Sequence, residues 1–220
     1  MTSKIKIALA DDEMLIREGI KAILGQEDIF EVLFDVSNGI ELIDYLENNP
    51  NNLPEIILMD INMPEYNGVE ATKFIHSKFP EILIVALSSY TSTTFMKQMF
   101  SVGAVCYIPK NFSPIDLIYR IKKVHENVFY YENSFLSFIK NNVNSLHFIA
   151  TEEISERELQ VLKLICQQQS STEIAQKLHI SPRTVDGHRN SLLAKTDSKN
   201  IVGLVVYAIQ NKLFLPEMKA

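Results

Sequence analysis

The sequence predicts two domains of different class: an α/β domain on a five-stranded parallel sheet, then a smaller all-α domain of four helices. Three observations carry this expectation. Through the first 125 residues, five strand-like runs alternate with segments of helical periodicity. The runs are apolar almost throughout rather than at every second residue. From Ile154 onward only the helical period remains. Continuous apolar strands are those covered on both faces, and repeated strand–helix units build parallel sheets wrapped by helices.

The strand runs are IKIALA (Ile5–Ala10), EVLFDV (Glu31–Val36), EIILMD (Glu55–Asp60), ILIVALS (Ile82–Ser88) and AVCYI (Ala104–Ile108). After the first, Leu15, Ile16, Gly19, Ile20, Ile23 and Leu24 recur at helical spacing. Further helices are expected at about 39–48, 67–79, 91–102 and 114–127. Residues 126–150 are rich in Asn and aromatics without a sustained period and read as a linker between domains 1–125 and 151–220. In the second domain, SERE (Ser155–Glu158) and SSTE (Ser170–Glu173) are capping boxes. Ser181 is a candidate N-cap with Pro182 as first helical residue. A fourth helix covers NIVGLVVYAIQNKL. Helices starting near 156, 171, 182 and 199, the middle pair separated only by HIS, form a helix-turn-helix.

The 220 residues carry a net charge of −6, distributed unevenly. Residues 1–125 hold 11 Lys/Arg against 17 Asp/Glu, whereas residues 151–220 hold nine against eight. An acidic first domain calls for a cation or a cationic partner. No apolar run approaches the roughly 20 residues a membrane helix needs, and the amino-terminal segment is too short in apolar residues for a signal peptide. Cys106 and Cys166 match no metal spacing and read as core residues. A cytoplasmic protein is expected.

Candidate chemistry gathers at the carboxyl ends of the strands, where open α/β sheets bind ligands. Asp11 and Asp12 follow the first strand and Asp60 ends the third, neighbours across the switch point of a 2-1-3-4-5 sheet. A lone acidic pair is ordinarily a solvated loop; two strand ends aimed at one crevice are a site. Such carboxylates repel unless a cation lies among them, and hard oxygen ligands suit Mg²⁺. Ser88 ends the fourth strand and Lys110 follows the fifth. A carboxylate can attack a phosphoryl group, with a metal, an ammonium and a hydroxyl sharing the transferred charge.

ALADDE, LMDINMPEYNG, ALSSY and CYIPKN, in this order and spacing, resemble the flavodoxin-like receiver domain of a two-component response regulator. The resemblance implies Asp60 as phospho-acceptor, Asp12 as direct Mg²⁺ ligand, Asp11 acting through water, and the Asn62 backbone carbonyl completing the ligands. It implies Ser88 as the switch hydroxyl and Tyr107 as the aromatic that turns inward when Ser88 moves. It also implies a sensor histidine kinase as phosphodonor. Two departures stand out. Pro109 precedes Lys110, where many receivers have Pro after the lysine, and Tyr66 and Asn67 fill a loop tip that faces solvent in the family.

On the third helix of the second domain, Arg183, Asp186, Gly187, Asn190 and Ala194 share a polar face suited to a major groove, with Thr184 at its start. Val185, His188 and Leu192 share the inward face. Arg189, Lys195 and Lys199 are candidates for phosphate contacts. A mid-helix glycine costs about 1 kcal/mol relative to Ala, so Gly187 points to close approach by a partner. Asp186 would repel phosphate but can accept from cytosine N4. SERELQVL, STEIAQKLHISPRTVDGHRNSLLAK and NIVGLVVYAI are similar to the LuxR-type helix-turn-helix of NarL/FixJ-type regulators. That resemblance implies double-stranded DNA as partner and a homodimer through the fourth helix, with Val202, Val205, Val206 and Ile209 as candidates for its seam, at least some of them core within the domain instead. Gln168 replaces a frequent Gly, Thr196 a usual Leu, and Asp186 a frequent basic residue.

The function expected is a DNA-binding transcriptional regulator switched by Mg²⁺-dependent phosphorylation of Asp60. It is not an enzyme beyond its own phosphorylation and dephosphorylation. A phosphatase of the haloacid dehalogenase type would need a second Asp two residues after the nucleophile, where this chain has Asn62. A regulator that never takes phosphate would be expected to lack Asp60, Lys110 or the acidic pair, and all are present.

Overall fold

The computed structural model describes residues 4–89, 93–126 and 154–215, the side chains of 93 and 94 excepted. The chain divides into two compact units, residues 1–125 and 126–220. The linker expected at 126–150 lies outside the described residues, apart from Glu126.

In the first unit, β1 (Ile5–Ala10), β2 (Phe30–Val36), β3 (Ile56–Asp60), β4 (Leu83–Ser88) and β5 (Cys106–Pro109) form one sheet. Its order is β2-β1-β3-β4-β5, every pair parallel, as the sequence predicts. Successive residues of the inner strands enter opposite layers. Ala8, Ala10, Ile57, Met59, Ile84 and Ala86 pack with Leu42 and Leu46 of α2 (Gly39–Asn48), Ala71 and Ile75 of α3 (Gly68–Lys78) and Met99 of α4 (Thr93–Val102). Ile7, Leu9, Ile56, Leu58, Val85 and Leu87 pack with Ile20 and Leu24 of α1 (Met14–Leu24) and Leu117 and Ile121 of α5 (Pro114–His125). Each of the buried Leu, Ile, Val and Met side chains contributes about 1.5–3 kcal/mol of transfer free energy, the alanines less. Double coverage is why these runs show no alternation.

β5 starts at Cys106, later than the run beginning at Ala104, and ends on Pro109. It is an edge strand. Pro109 pairs in register with Ser88, yet the donor to the Ser88 carbonyl is the Lys110 N–H, at 2.7 Å. In a parallel ladder the residues bonded to one neighbour alternate along the strand. Pro109 therefore turns its nitrogen to the outer edge, where a missing N–H costs no ladder bond.

The loop after β3 folds back tightly. The Gly68 N–H donates to the Ile61 carbonyl at 2.9 Å, and a Cβ on Gly68 would lie 2.0 Å from the Asp60 carbonyl oxygen. Asn67 caps α3 by accepting from the Val69 and Glu70 N–H groups, each at 3.0 Å. The loop tip differs from expectation. Tyr66 is half-buried against the core, and its carbonyl accepts the Gly39 N–H at 3.0 Å.

The second unit contains α6 (Glu156–Cys166), α7 (Ser171–Leu178), α8 (Pro182–Lys195) and α9 (Ile201–Gln210). Both capping boxes form as expected, at Ser155/Glu158 and Ser170/Glu173. Ser181 caps α8, Pro182 is its first residue, and Asn200 caps α9. Cys106 and Cys166 are buried free thiols. Among the described residues, no helix is long and apolar enough to cross a membrane.

Candidate functional site

The first unit gathers its polar residues where the sheet's carboxyl ends open. Asp11 follows β1, Asp60 ends β3, and both are buried, at 1% and 4% exposure, while Asp12 is exposed. One carboxylate oxygen from each lies within 4.8 Å of the others. Lys110 enters from the end of β5. Its Nζ is 2.9 Å from Asp11 Oδ2, 3.1 Å from Asp60 Oδ2 and 2.8 Å from Glu13 Oε1. The ammonium thus bridges the two buried carboxylates.

Electrostatics follow from burial more than from repulsion. Burial raises the Asp60 carboxyl to about 6, with Lys110 opposing that shift and Asp11 adding to it. Burial likewise raises Asp11, against the nearby ammonium and the Glu13 N–H. Burial would lower Lys110, but the close carboxylates of Glu13, Asp11 and Asp60 outweigh it and hold the ammonium more firmly protonated than usual.

The donor set suits a hard divalent cation. All the groups are oxygens, one carboxylate faces solvent, and buried Asp11 Oδ2 meets Lys110 at ion-pair distance without a hydrogen bond aligned on it. The Asn62 N–H reaches Asp60 Oδ1 at 3.4 Å, a long bond, so this loop adjoins the cluster. Ser88 is buried at the end of β4, and its side chain hydrogen-bonds with the Tyr107 phenol. Burial raises that phenol's pKa, and the charge of Asp60 adds to the rise. Tyr107 is inward in this structure.

Two contributors were not singled out from the sequence. Glu13 precedes α1 in the N-cap position but does not cap with its side chain, which instead reaches Lys110. Its place beside the acidic pair was the available signal. Arg17 donates through Nη1 to the Asp11 carbonyl at 2.6 Å and through Nε to Asp35 at 2.8 Å, bracing the loop that carries Asp11 and Asp12.

In the second unit, Val185 and Leu192 are buried and His188 half-buried, so the expected inner face of α8 packs inward. Arg183, Thr184, Gly187, Asn190 and Ala194 are exposed together. A Cβ on Gly187 would meet nothing within 4 Å, so packing inside the unit does not require a glycine there. Asp186 is engaged rather than free: its Oδ1 accepts from Ser171 Oγ at 2.9 Å and lies 3.4 Å from Arg189 Nη2. Lys195 is pinned to buried Glu158 at 2.9 Å, and Lys199 is exposed. Of the expected seam on α9, Val202, Val205 and Val206 are buried and Ile209 half-buried. Those three are core in this arrangement.

Comparison with known proteins matches both halves. Residues 7–122 fit the family model of the response regulator receiver domain, and residues 152–208 that of bacterial regulatory proteins, luxR family. The transcriptional regulatory protein DegU of Brevibacillus brevis is 30% identical over 226 residues, covering 95% of this chain and 94% of that protein. The response regulator VraR of Staphylococcus saprophyticus is 31% identical over 209 residues, covering 95% and 98%. The fold is similar to that of the Salmonella typhimurium response regulator RcsB, with a TM-score of 0.57 at 21% identity over 94% of this chain and 99% of that one. Each of these alignments runs along nearly the whole of both proteins. The chain belongs to the two-component response regulators, in the branch of transcriptional regulators that joins a receiver domain to a LuxR-type DNA-binding domain.

Proposed function

We propose that Asp60 is the phospho-acceptor of this regulator and that its phosphorylation, by a partner sensor histidine kinase, controls duplex DNA binding by the second unit. The observation that carries the reading is the Lys110 ammonium set between Asp11 and Asp60. With its pKa raised to about 6, Asp60 is still mostly ionised at neutral pH, yet poorly solvated and so a better nucleophile. A carboxylate oxygen attacks phosphorus, the bond to the donor's leaving group breaks, and the leaving group departs with its electron pair. Lys110 and the Ser88 hydroxyl stabilise the charge on the transferred group, and Tyr107 tracks any movement of Ser88 through their hydrogen bond. Asp11, Asp12, Asp60 and the Asn62 carbonyl would hold Mg²⁺, which supplies charge neutralisation to phosphoryl oxygens when bound. Beyond gaining and losing this group the protein is not an enzyme.

For the second unit, RcsB has been solved as a complex with DNA and as dimers on DNA. By analogy, α8 of this chain enters a major groove with Arg183, Thr184, Gly187 and Asn190 toward the bases. Arg189, Lys195 and Lys199 serve phosphates, two copies bind a two-fold site, and residues 126–150 connect the domains in the cytoplasm. Incubation with Mg²⁺ and acetyl phosphate should add one phosphoryl group by intact mass, and none in Asp60→Asn or in chelator. A group retained by Asp60→Asn would overturn the assignment, and undiminished transfer in chelator would overturn the metal role.

A further inference from the structure

The DNA-facing helix carries a carboxylate where a phosphate-binding surface is expected, and that carboxylate is already paired. Asp186 Oδ1 receives the Ser171 hydroxyl at 2.9 Å and stands 3.4 Å from Arg189 Nη2. Ser171 opens α7 and Arg189 lies on α8, so one carboxylate oxygen ties both helices of the helix-turn-helix. A negative charge is favoured beside the first turn of α7, whose backbone donors carry net positive potential. The Asp186 side chain is 43% exposed and that of Arg189 20%. The pair therefore sits at the surface that duplex DNA would approach.

We propose that Asp186 is an internal stand-in for a DNA phosphate. It takes up the guanidinium of Arg189 and the hydroxyl of Ser171, two groups suited to a backbone phosphate, until a duplex displaces it. Asp186 thus acts as a positioning residue that holds down sequence-independent affinity. Discrimination then falls to the exposed base-facing residues Arg183, Thr184 and Asn190. Specificity is the ratio of specific to non-specific binding, so weakening the second term sharpens target choice without any new base contact. The proposal rests on the DNA-binding reading above and adds the role of this pair.

The test is a double-mutant cycle in the full chain on a labelled 30-base-pair duplex of scrambled sequence, read by fluorescence anisotropy between 50 and 200 mM KCl. Asp186→Asn keeps the acceptor for Ser171 and removes the charge, so the unit should stay folded. It should tighten binding about 5–10-fold at 50 mM and steepen the slope of log K against log [salt] by about 1, one more phosphate neutralised. Arg189→Ala should change affinity less than about twofold in the native background and cost about 5–10-fold alongside Asp186→Asn. An equal cost of Arg189→Ala in both backgrounds, or an unchanged salt slope in Asp186→Asn, would overturn the proposal alone. Absence of binding by all four proteins at 50 mM would overturn the DNA-binding reading and the proposal with it.

Discussion

Glu158 shows how one residue can serve two structures at once. Its place in a capping box is legible from SERE, and the box forms, with Oε2 accepting from the Ser155 N–H and hydroxyl at 2.8 Å each. What the motif does not reveal is the third dimension. Ser191 Oγ donates to Oε1 at 2.6 Å and Lys195 Nζ to Oε2 at 2.9 Å, both from α8. Burial acts to raise this carboxyl, but the bonds from Ser191, Lys195 and Ser155 outweigh it and hold it at about 2, below the usual 4.5. A folded-state pKa depressed in this way stabilises the fold above the unfolded value and loses that contribution as pH falls toward 2. A shift of that size corresponds to about 3 kcal/mol. Glu158→Gln should therefore lower stability of the second unit by about 2–3 kcal/mol at pH 7 and flatten its loss between pH 4.5 and 2. Chemical denaturation followed by circular dichroism across this range checks it. A variant that keeps the native acid slope would show that the carboxylate's ionisation is not what the network stabilises.

At the scale of elements, the strands and helices expected from the sequence form among the described residues, because each signal has a local cause. Period and double-sided burial mark the strands, while Ser155, Ser170 and Ser181 mark helix starts. What local pattern could not supply were pairings between distant segments. Glu13 with Lys110 spans 97 residues, and Asp186 with Ser171 joins two helices, so neither leaves a periodic trace. Pro109 is intermediate, since its place before Lys110 becomes intelligible only when the parity of the β4–β5 ladder is known. The turn between α6 and α7 carries a further consequence. Gln168 has φ 62°, the left-handed region, at the position where the family frequently has Gly. A side chain there costs about 1–2 kcal/mol, and a glycine's extra unfolded-state freedom returns roughly 0.5–1 kcal/mol of that. Gln168→Gly should raise stability by about 0.5–1 kcal/mol, visible as a rise of several degrees in the melting midpoint of the second unit. A lower midpoint would mean that Gln168 makes contacts worth more than its strain. Thr196, where the family has Leu, needs no such remedy: its Oγ1 is buried within 2.8 Å of the Leu192 carbonyl and Ser198 Oγ, so its hydroxyl is satisfied.

The whole molecule separates its two tasks by charge as well as by fold. The proposed phosphorylation chemistry lies entirely within 1–125, the segment that carries 17 acidic residues against 11 basic ones and has apolar cores on both faces of its sheet. The proposed DNA face lies within the other unit, whose described helices bury their own apolar residues, Val161, Leu162, Ile174, Val185 and Leu192 among them. If each unit is self-sufficient, the chemistry should survive separation while the control does not. Residues 1–125 produced alone should take up one phosphoryl group from acetyl phosphate at a rate within about twofold of the full chain, since every residue placed around Asp60 is retained. Residues 126–220 should bind duplex with an affinity indifferent to phosphodonor, whereas the full chain should respond to it. Intact mass and anisotropy measure the two halves of this expectation. A receiver fragment that folds by circular dichroism yet fails to accept phosphate would place part of the site in the second unit. An isolated second unit that still responds to phosphodonor would remove Asp60 from control of DNA binding.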